Sequence, residues 1–313
     1  MTSAAEISKE TGPVATSEPV MDIIHFADPF CWWSWGLEPI LHRLKEVYGD
    51  QVEVTYRMGG MASSIDQWRK SYNVTEDKTL RSWISKSISM TGMPLDADFI
   101  VKSSAQSSWP ACVAVKAAEL QNKELAAKFF RRIMEATQLR SVNVSEEDVY
   151  LAVAKEIGLD LEQLRKDISS GNAVDLFDKD RKEMNVNFST LVLMNKRTQK
   201  SKAVGGVFTS NQYESAIEEL SGGKLRKKVP VDILEYFRHL PNCLIPAKEI
   251  AVVFGISVQD AEKRLGVLSE GALLRSVIIA GDKKLWTAAG ESERNKELTT
   301  EQLNAARIVG AAT

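Results

Sequence analysis

The chain has 313 residues, 44% of them hydrophobic and 26% charged, with a formal net charge of −2 at pH 7. These totals fit an ordinary soluble globular protein of about two domains and give no whole-chain argument for nucleic acid or a membrane surface. No apolar run approaches the roughly 20 residues that span a bilayer. Three widely spaced cysteines are not a disulfide framework, so a cytoplasmic location is expected.

The first 20 residues are polar, lack the apolar core of a signal peptide, and are expected to be a disordered tail. Residues 21–27 (MDIIHFA) are a short apolar run suited to a buried strand. Asp28-Pro29 marks a turn. From about Cys31 to Tyr48 the spacing of Leu37, Ile40, Leu41, Leu44 and Val47 is helical, and Pro39 is expected to kink that helix. QVEVTYRM (51–58) reads as a second strand broken by Gly59-Gly60.

Residues 64–184 read as mostly helical. The clearest helix opens at Ser108-Trp109-Pro110, with Val113, Val115, Ala118 and Leu120 as its apolar positions. Ser145 is a plausible cap for a later helix. STLVLMNK (189–196) and KAVGGVFT (202–209) read as a hairpin, and NQYESAIEEL closes the unit as a helix ended by Gly222-Gly223. The first strand, helix and strand suit a parallel crossover. A basic linker (223–229) leads to three helices and a hairpin over 230–290, the pattern of a winged helix-turn-helix. The tail 291–313 is polar with one weak helical segment.

A strand, then Asp-Pro-x-Cys-x-x, then a proline-bearing helix resembles the thioredoxin fold, and the helical block between the second and third strands resembles the DsbA-like thiol-disulfide oxidoreductases. DPFCWWSWGLEP, YRMGGM and SSWPACVAVKAAELQ are similar to the FrnE-like and SpxH/YjbH-like branch. The resemblance covers roughly residues 21–222 and implies an α/β, thioredoxin-like, DsbA-like fold with an inserted helical domain; the winged helix is read separately, from the pattern of 230–290. Two departures stand out. The second cysteine of the family's Cys-x-x-Cys is Ser34, and Ser189 occupies the position of the family's cis-proline, where a trans peptide is expected.

Cys31 at a helix N-terminus is expected to have a lowered pKa and to act as a single nucleophile, with Ser34 supporting the thiolate. A mixed disulfide would then be released by the substrate's own thiols, as in isomerisation, or by an external thiol such as glutathione. No bound cofactor or metal is expected. Trp32 and Trp33 either cover the first helical turn or flank Cys31 as an exposed peptide-binding patch, and partial exposure is expected. Trp35 reads as core. Ser189 and Thr190 would line the substrate groove. His25 is a modulator only if it faces the sulfur; the reading as a core histidine is preferred. His42 reads as a helix-surface residue and Asp28 as a helix cap. Cys112 is a candidate partner for Cys31, although a core position is preferred, and Cys243 reads as packing.

The segment 224–290 carries eleven Lys/Arg against seven Asp/Glu, a net of +4. That permits phosphate contact, with Arg264, Lys283 and Lys284 as candidate DNA contacts, but the helix VQDAEKRLGVL offers few base-reading side chains, so DNA binding is not favoured. Three functions follow. The first, and the preferred reading, is a disulfide isomerase or monothiol oxidoreductase acting on protein or peptide thiols; the kappa-class glutathione transferase and chromene-carboxylate isomerase group is a related enzyme option that the local motifs fit less well. The second is an adaptor without redox chemistry, since the resemblance implies SpxH-like proteins that deliver a transcription factor to a protease, with the winged helix as a protein-binding module. The third is a redox-sensing DNA-binding regulator.

Overall fold

The computed structural model describes residues 19–102, 104–206, 208–279, 283–290 and 299–308. The expectations for residues 1–18, for the turn at Gly281-Asp282, and for most of the tail lie outside these.

Four strands form one mixed sheet in the order β2-β1-β3-β4. β1 (Met21–Ala27) lies in the centre, parallel to β2 (Val52–Met58) and antiparallel to β3 (Thr190–Asn195), and β4 (Ser201–Gly205) pairs antiparallel with β3 at the edge. The parallel pair is joined by α1 (Trp32–Tyr48), which runs through Pro39 as one helix. One sheet face is apolar because alternate residues turn the same way. Met21, Ile23, Leu191 and Leu193 pack there against Leu37, Leu41 and Leu44 of α1 and against Tyr213 and Ile217 of α10 (Ser210–Ser221).

Between β2 and β3 the chain makes the expected helical block: α2 (Ile65–Ser71), α3 (Asp77–Thr91), α4 (Phe99–Lys102), α5 (Trp109–Gln121), α6 (Lys123–Arg140), α7 (Glu147–Glu156), α8 (Leu161–Ser169) and α9 (Asn172–Glu183). Its core, with Phe129, Phe130 and Ile133, is continuous with Phe30 and Trp35 beside the β1–α1 turn. Leu120 departs from its expected core position and is exposed, because it falls on the outer side of α5. Ser145 does not cap α7; its hydroxyl donates to the Ser107 carbonyl at 2.5 Å.

After the linker come α11 (Ile233–His239), α12 (Ala247–Phe254) and α13 (Val258–Glu270), then the hairpin β5 (Leu274–Ile279) and β6 (Lys283–Ala288). Ile245 and Trp286 exchange backbone hydrogen bonds of 2.8 and 3.0 Å, adding a short third strand position. The weak helix of the tail is α14 (Thr300–Ala306), opened by a capping box between Thr299 and Gln302. Ile233, Phe237, Ile250, Leu265 and Trp286 form a separate core for these elements.

Candidate functional site

Asp28 does not cap α1. Its buried carboxylate accepts from the amides of Phe30 (2.8 Å) and Met61 (2.6 Å) and from the hydroxyl of Ser108 (2.7 Å), and Cys112 Sγ lies 3.4 Å away. One side chain thus joins the turn before α1, the glycine loop after β2, and the start of α5. These are the places of DPFCWWSWGLEP, YRMGGM and SSWPACVAVKAAELQ, so the three motifs are pieces of one corner. Burial pushes the Asp28 carboxyl up, against four hydrogen bonds that favour the anion.

Cys31 is the N-cap residue of α1, with no side-chain capping bond, and is 3% exposed. Its thiol is pushed up to about 11, first by burial and further by the Asp28 charge, although Ser34 and the Trp33 amide favour the thiolate. The expected lowering is therefore reversed: the helix end is present, but loss of water outweighs it. Ser34 is fully buried beside it.

Trp32 is also a correction. It is 5% exposed and stands edge-to-face against Trp68, with ring centroids 6.2 Å apart, because α2 and α3 cover the first turn of α1. Trp33 is half-buried and stacks on Phe208 at 5.5 Å. Trp35 is core as expected; its indole donates to the Pro94 carbonyl at 2.8 Å.

His25 is a core histidine on the central strand. Its Nε2 lies 3.3 Å from the Phe188 carbonyl, and burial lowers its pKa to about 4. Ser189 is half-buried and its carbonyl accepts from Gly206; the Thr190 amide donates to Asn187, and its side chain is buried. Among the described residues there is no cis peptide. Cys31, Cys112 and Cys243 are all free and buried, so Cys112 faces Asp28 as a thiol and is not bridged to Cys31.

The expected phosphate contacts of the C-terminal segment are mostly engaged. Arg264 pairs with Asp260 at 2.9 Å and donates to the carbonyls of Asn304 (2.7 Å) and Arg307 (2.9 Å), which holds the end of α14. Lys283 reaches back and donates to the Leu95 carbonyl of the helical block. Lys284 stays exposed, over the Trp286 ring.

Sequence reasoning missed a buried polar network between α1, α6 and α12, and it misplaced His42. His42 Nδ1 lies 2.9 Å from Glu249 Oε1 and 2.6 Å from the Tyr236 hydroxyl. Arg131 bonds Glu249 and Glu135, each at 2.8 Å, and sits 3.8 Å from Glu38, which accepts from the Tyr56 hydroxyl. Against the cost of burial, Arg131 and His42 hold the Glu249 carboxyl down to about 2. The available signal was charge inside apolar runs: Glu38 in WGLEPIL and Glu249 in IPAKEIAVV. This network fixes the C-terminal elements against α1.

Among the described residues no cluster of three or more His, Cys, Asp or Glu is arranged to hold a metal, and no helix is long and apolar enough to cross a membrane.

A thioredoxin-type sheet with a helical block between its second and third strands defines a DsbA-like thioredoxin-fold protein. Solved structures share that fold. The cytosolic disulfide reductase DsbM from Pseudomonas aeruginosa superposes with a TM-score of 0.51 at 22% identity, covering 63% of this chain and 97% of its own. A putative protein disulfide isomerase from Nitrosomonas europaea gives 0.51 at 17% identity, covering 66% and 97%. The thioredoxin family profile matches residues 24–216. The ClpXP adapter protein SpxH of Bacillus subtilis is 30% identical over 259 residues, 80% of this chain and 83% of that protein. The SpxH of Halalkalibacterium halodurans is 28% identical over 251 residues, 78% and 81%. The chain belongs to the thioredoxin family and, within it, to the family of the SpxH proteins. A match over 80% of the chain is longer than residues 1–222 of 313, so it runs into the C-terminal elements.

Proposed function

We propose that this chain is an adaptor: a DsbA-like scaffold that binds a client protein and presents it to a ClpXP-type protease in the cytoplasm. The observation that carries the reading is the state of Cys31. A thiol 3% exposed and pushed up to about 11 supplies almost no thiolate at neutral pH, and thiolate is what disulfide exchange requires. Ser34 adds no resolving thiol. The relatives that share both the thioredoxin part and C-terminal sequence are named ClpXP adapters, which supports the same choice over the oxidoreductase and isomerase readings.

In this reading residues 230–290 are a winged-helix module used for protein contact. Arg264 and Lys283 serve internal bonds, which argues against DNA as its ligand. No small thiol is needed.

The test is binding of the full chain to purified Bacillus subtilis ClpX by surface plasmon resonance, alongside reduction of an insulin disulfide. The adaptor reading expects ClpX binding that Cys31→Ser leaves within about twofold, and no disulfide activity. Catalysed insulin reduction abolished by Cys31→Ser, without ClpX binding, would restore the enzyme reading.

A further inference from the structure

β4 is the edge of the sheet, and among the described residues no backbone group pairs with its outer side. The hydrogen bonds Asn195 N to Lys200 O (2.9 Å) and Gly206 N to Ser189 O (3.0 Å) set the phase of the β3–β4 ladder. Bonded pairs alternate in an antiparallel ladder, so Lys202 and Val204 point their backbone groups inward to β3. Ser201, Ala203 and Gly205 therefore aim their N–H and C=O groups away from the sheet. Most exposed edges are blunted by proline, bulges or inward charges. Here the three outward positions carry small side chains, β4 has no proline, and Lys202 is turned onto α10, where it pairs with Glu219.

A groove of about 530 Å³ runs along this edge. One wall is the β4 backbone. The roof is α10, whose Gln212, Ser215, Ala216 and Glu219 fall on one stripe at helical spacing and overhang the strand. That is the place a fifth strand would occupy. At one end, the β3–β4 turn carries Arg197 and Lys200, both exposed and with no ion-pair partner among the described residues.

We infer that the β4 edge and the polar stripe of α10 form a strand-addition site that takes an extended segment of a protein partner, with carboxylates at the end beside Arg197 and Lys200. The outward amides and carbonyls of Ser201, Ala203 and Gly205 supply main-chain pairing, α10 supplies polar contacts along one side, and the basic turn orients the segment. This rests on the adaptor reading for the identity of the occupant as the client.

The test uses the full chain and a fluorescein-labelled octapeptide of alternating threonine and valine ending in two aspartates, with a two-lysine version as control, read by fluorescence polarisation. Ala203→Pro removes an outward amide and leaves the bonds to β3 intact; Ser215→Trp fills the groove from the helix side and guards against a misfolded proline variant. The expected result is binding of the aspartate peptide, weakened at least tenfold in each variant, and at least tenfold weaker binding of the lysine peptide. Equal affinity in wild type and both variants, no preference between the peptides, or no binding at millimolar concentration overturns the site. So does a wild-type dimer by light scattering that Ala203→Pro dissociates, because the occupant is then a second copy. ClpX binding by the wild-type chain separates the two failures: if it is present while the peptides ignore the edge, only this inference falls, and if it is absent while the peptide result holds, only the adaptor reading falls.

Discussion

Arg131 on α6 and Glu249 on α12 meet at 2.8 Å, both almost fully buried, 118 positions apart in the chain. A buried pair contributes modest net stability, because desolvation offsets most of the attraction, but losing one member strands the other. Glu249→Ala should destabilise the chain by about 3–5 kcal/mol in urea unfolding. Arg131→Met combined with Glu249→Leu should cost less than the sum of the two single changes. Additive losses would mean that the pair is not coupled.

His25 contributes a pH-dependent stability of definite sign, opposite to that of the buried Asp28 carboxyl, which burial pushes up. Its pKa falls from 6.5 unfolded to about 4 folded, so the unfolded chain binds the proton first. The stability is fully present above pH 6.5 and is lost as pH falls from 6.5 towards 4, on the order of 3 kcal/mol. Glu249 extends the loss below pH 4.5, towards 2. His25→Phe should flatten the 6.5-to-4 part of the curve and leave the lower part. An unchanged slope in that variant would assign the titration elsewhere.

The sheet, the helical insert and the terminal hairpin were readable because each has a local signature: alternation in MDIIHFA, helical spacing from Leu37 to Val47, turn residues at Gly59-Gly60. The state of Cys31 was not. Helix-end position is written in the sequence, but burial is a tertiary property: even the neighbouring Trp32 is covered by Trp68 of α2, which is distant along the chain. The role of Asp28 was hidden for the same reason, since its partners Met61 and Ser108 are 33 and 80 positions away. Arg264 looked like a phosphate contact because nothing local reveals that α14 returns to it.

Gly60 is a close-packed, left-handed point in the corner that Asp28 assembles. Its φ is +67°, and an added Cβ would lie 2.7 Å from the Phe177 ring. Gly60→Ala combines left-handed strain with a clash against a packed aromatic, and should cost about 2 kcal/mol or more. Thermal melting checks it. A change near zero would mean that the loop has room to shift.

Arg264→Ala should loosen the C-terminal end. It removes charged hydrogen bonds to the carbonyls of Asn304 and Arg307, which are worth about 2 kcal/mol together at this half-buried position. Limited proteolysis should then cut within residues 299–308 faster than in wild type. A salt-sensitive DNA complex lost in this variant, with unchanged proteolysis, would return Arg264 to the role of a phosphate contact.

The decisive chemistry remains that of the first cysteine. With its pKa at about 11 against 9.0 for a free thiol, native Cys31 holds about a hundredfold less thiolate at pH 8 than the unfolded chain. Burial slows the reagent further. Iodoacetamide labelling followed by mass spectrometry should therefore modify Cys31 at least a hundredfold more slowly in the native protein than in urea, with a rate still rising above pH 9. Cys112 and Cys243, buried and also pushed up, should lag in the same way. If Cys31 alone labels quickly at pH 7, a reactive thiolate is reached in the native chain, and the loss of Ser34's cysteine counterpart would then mark a monothiol enzyme instead of an adaptor.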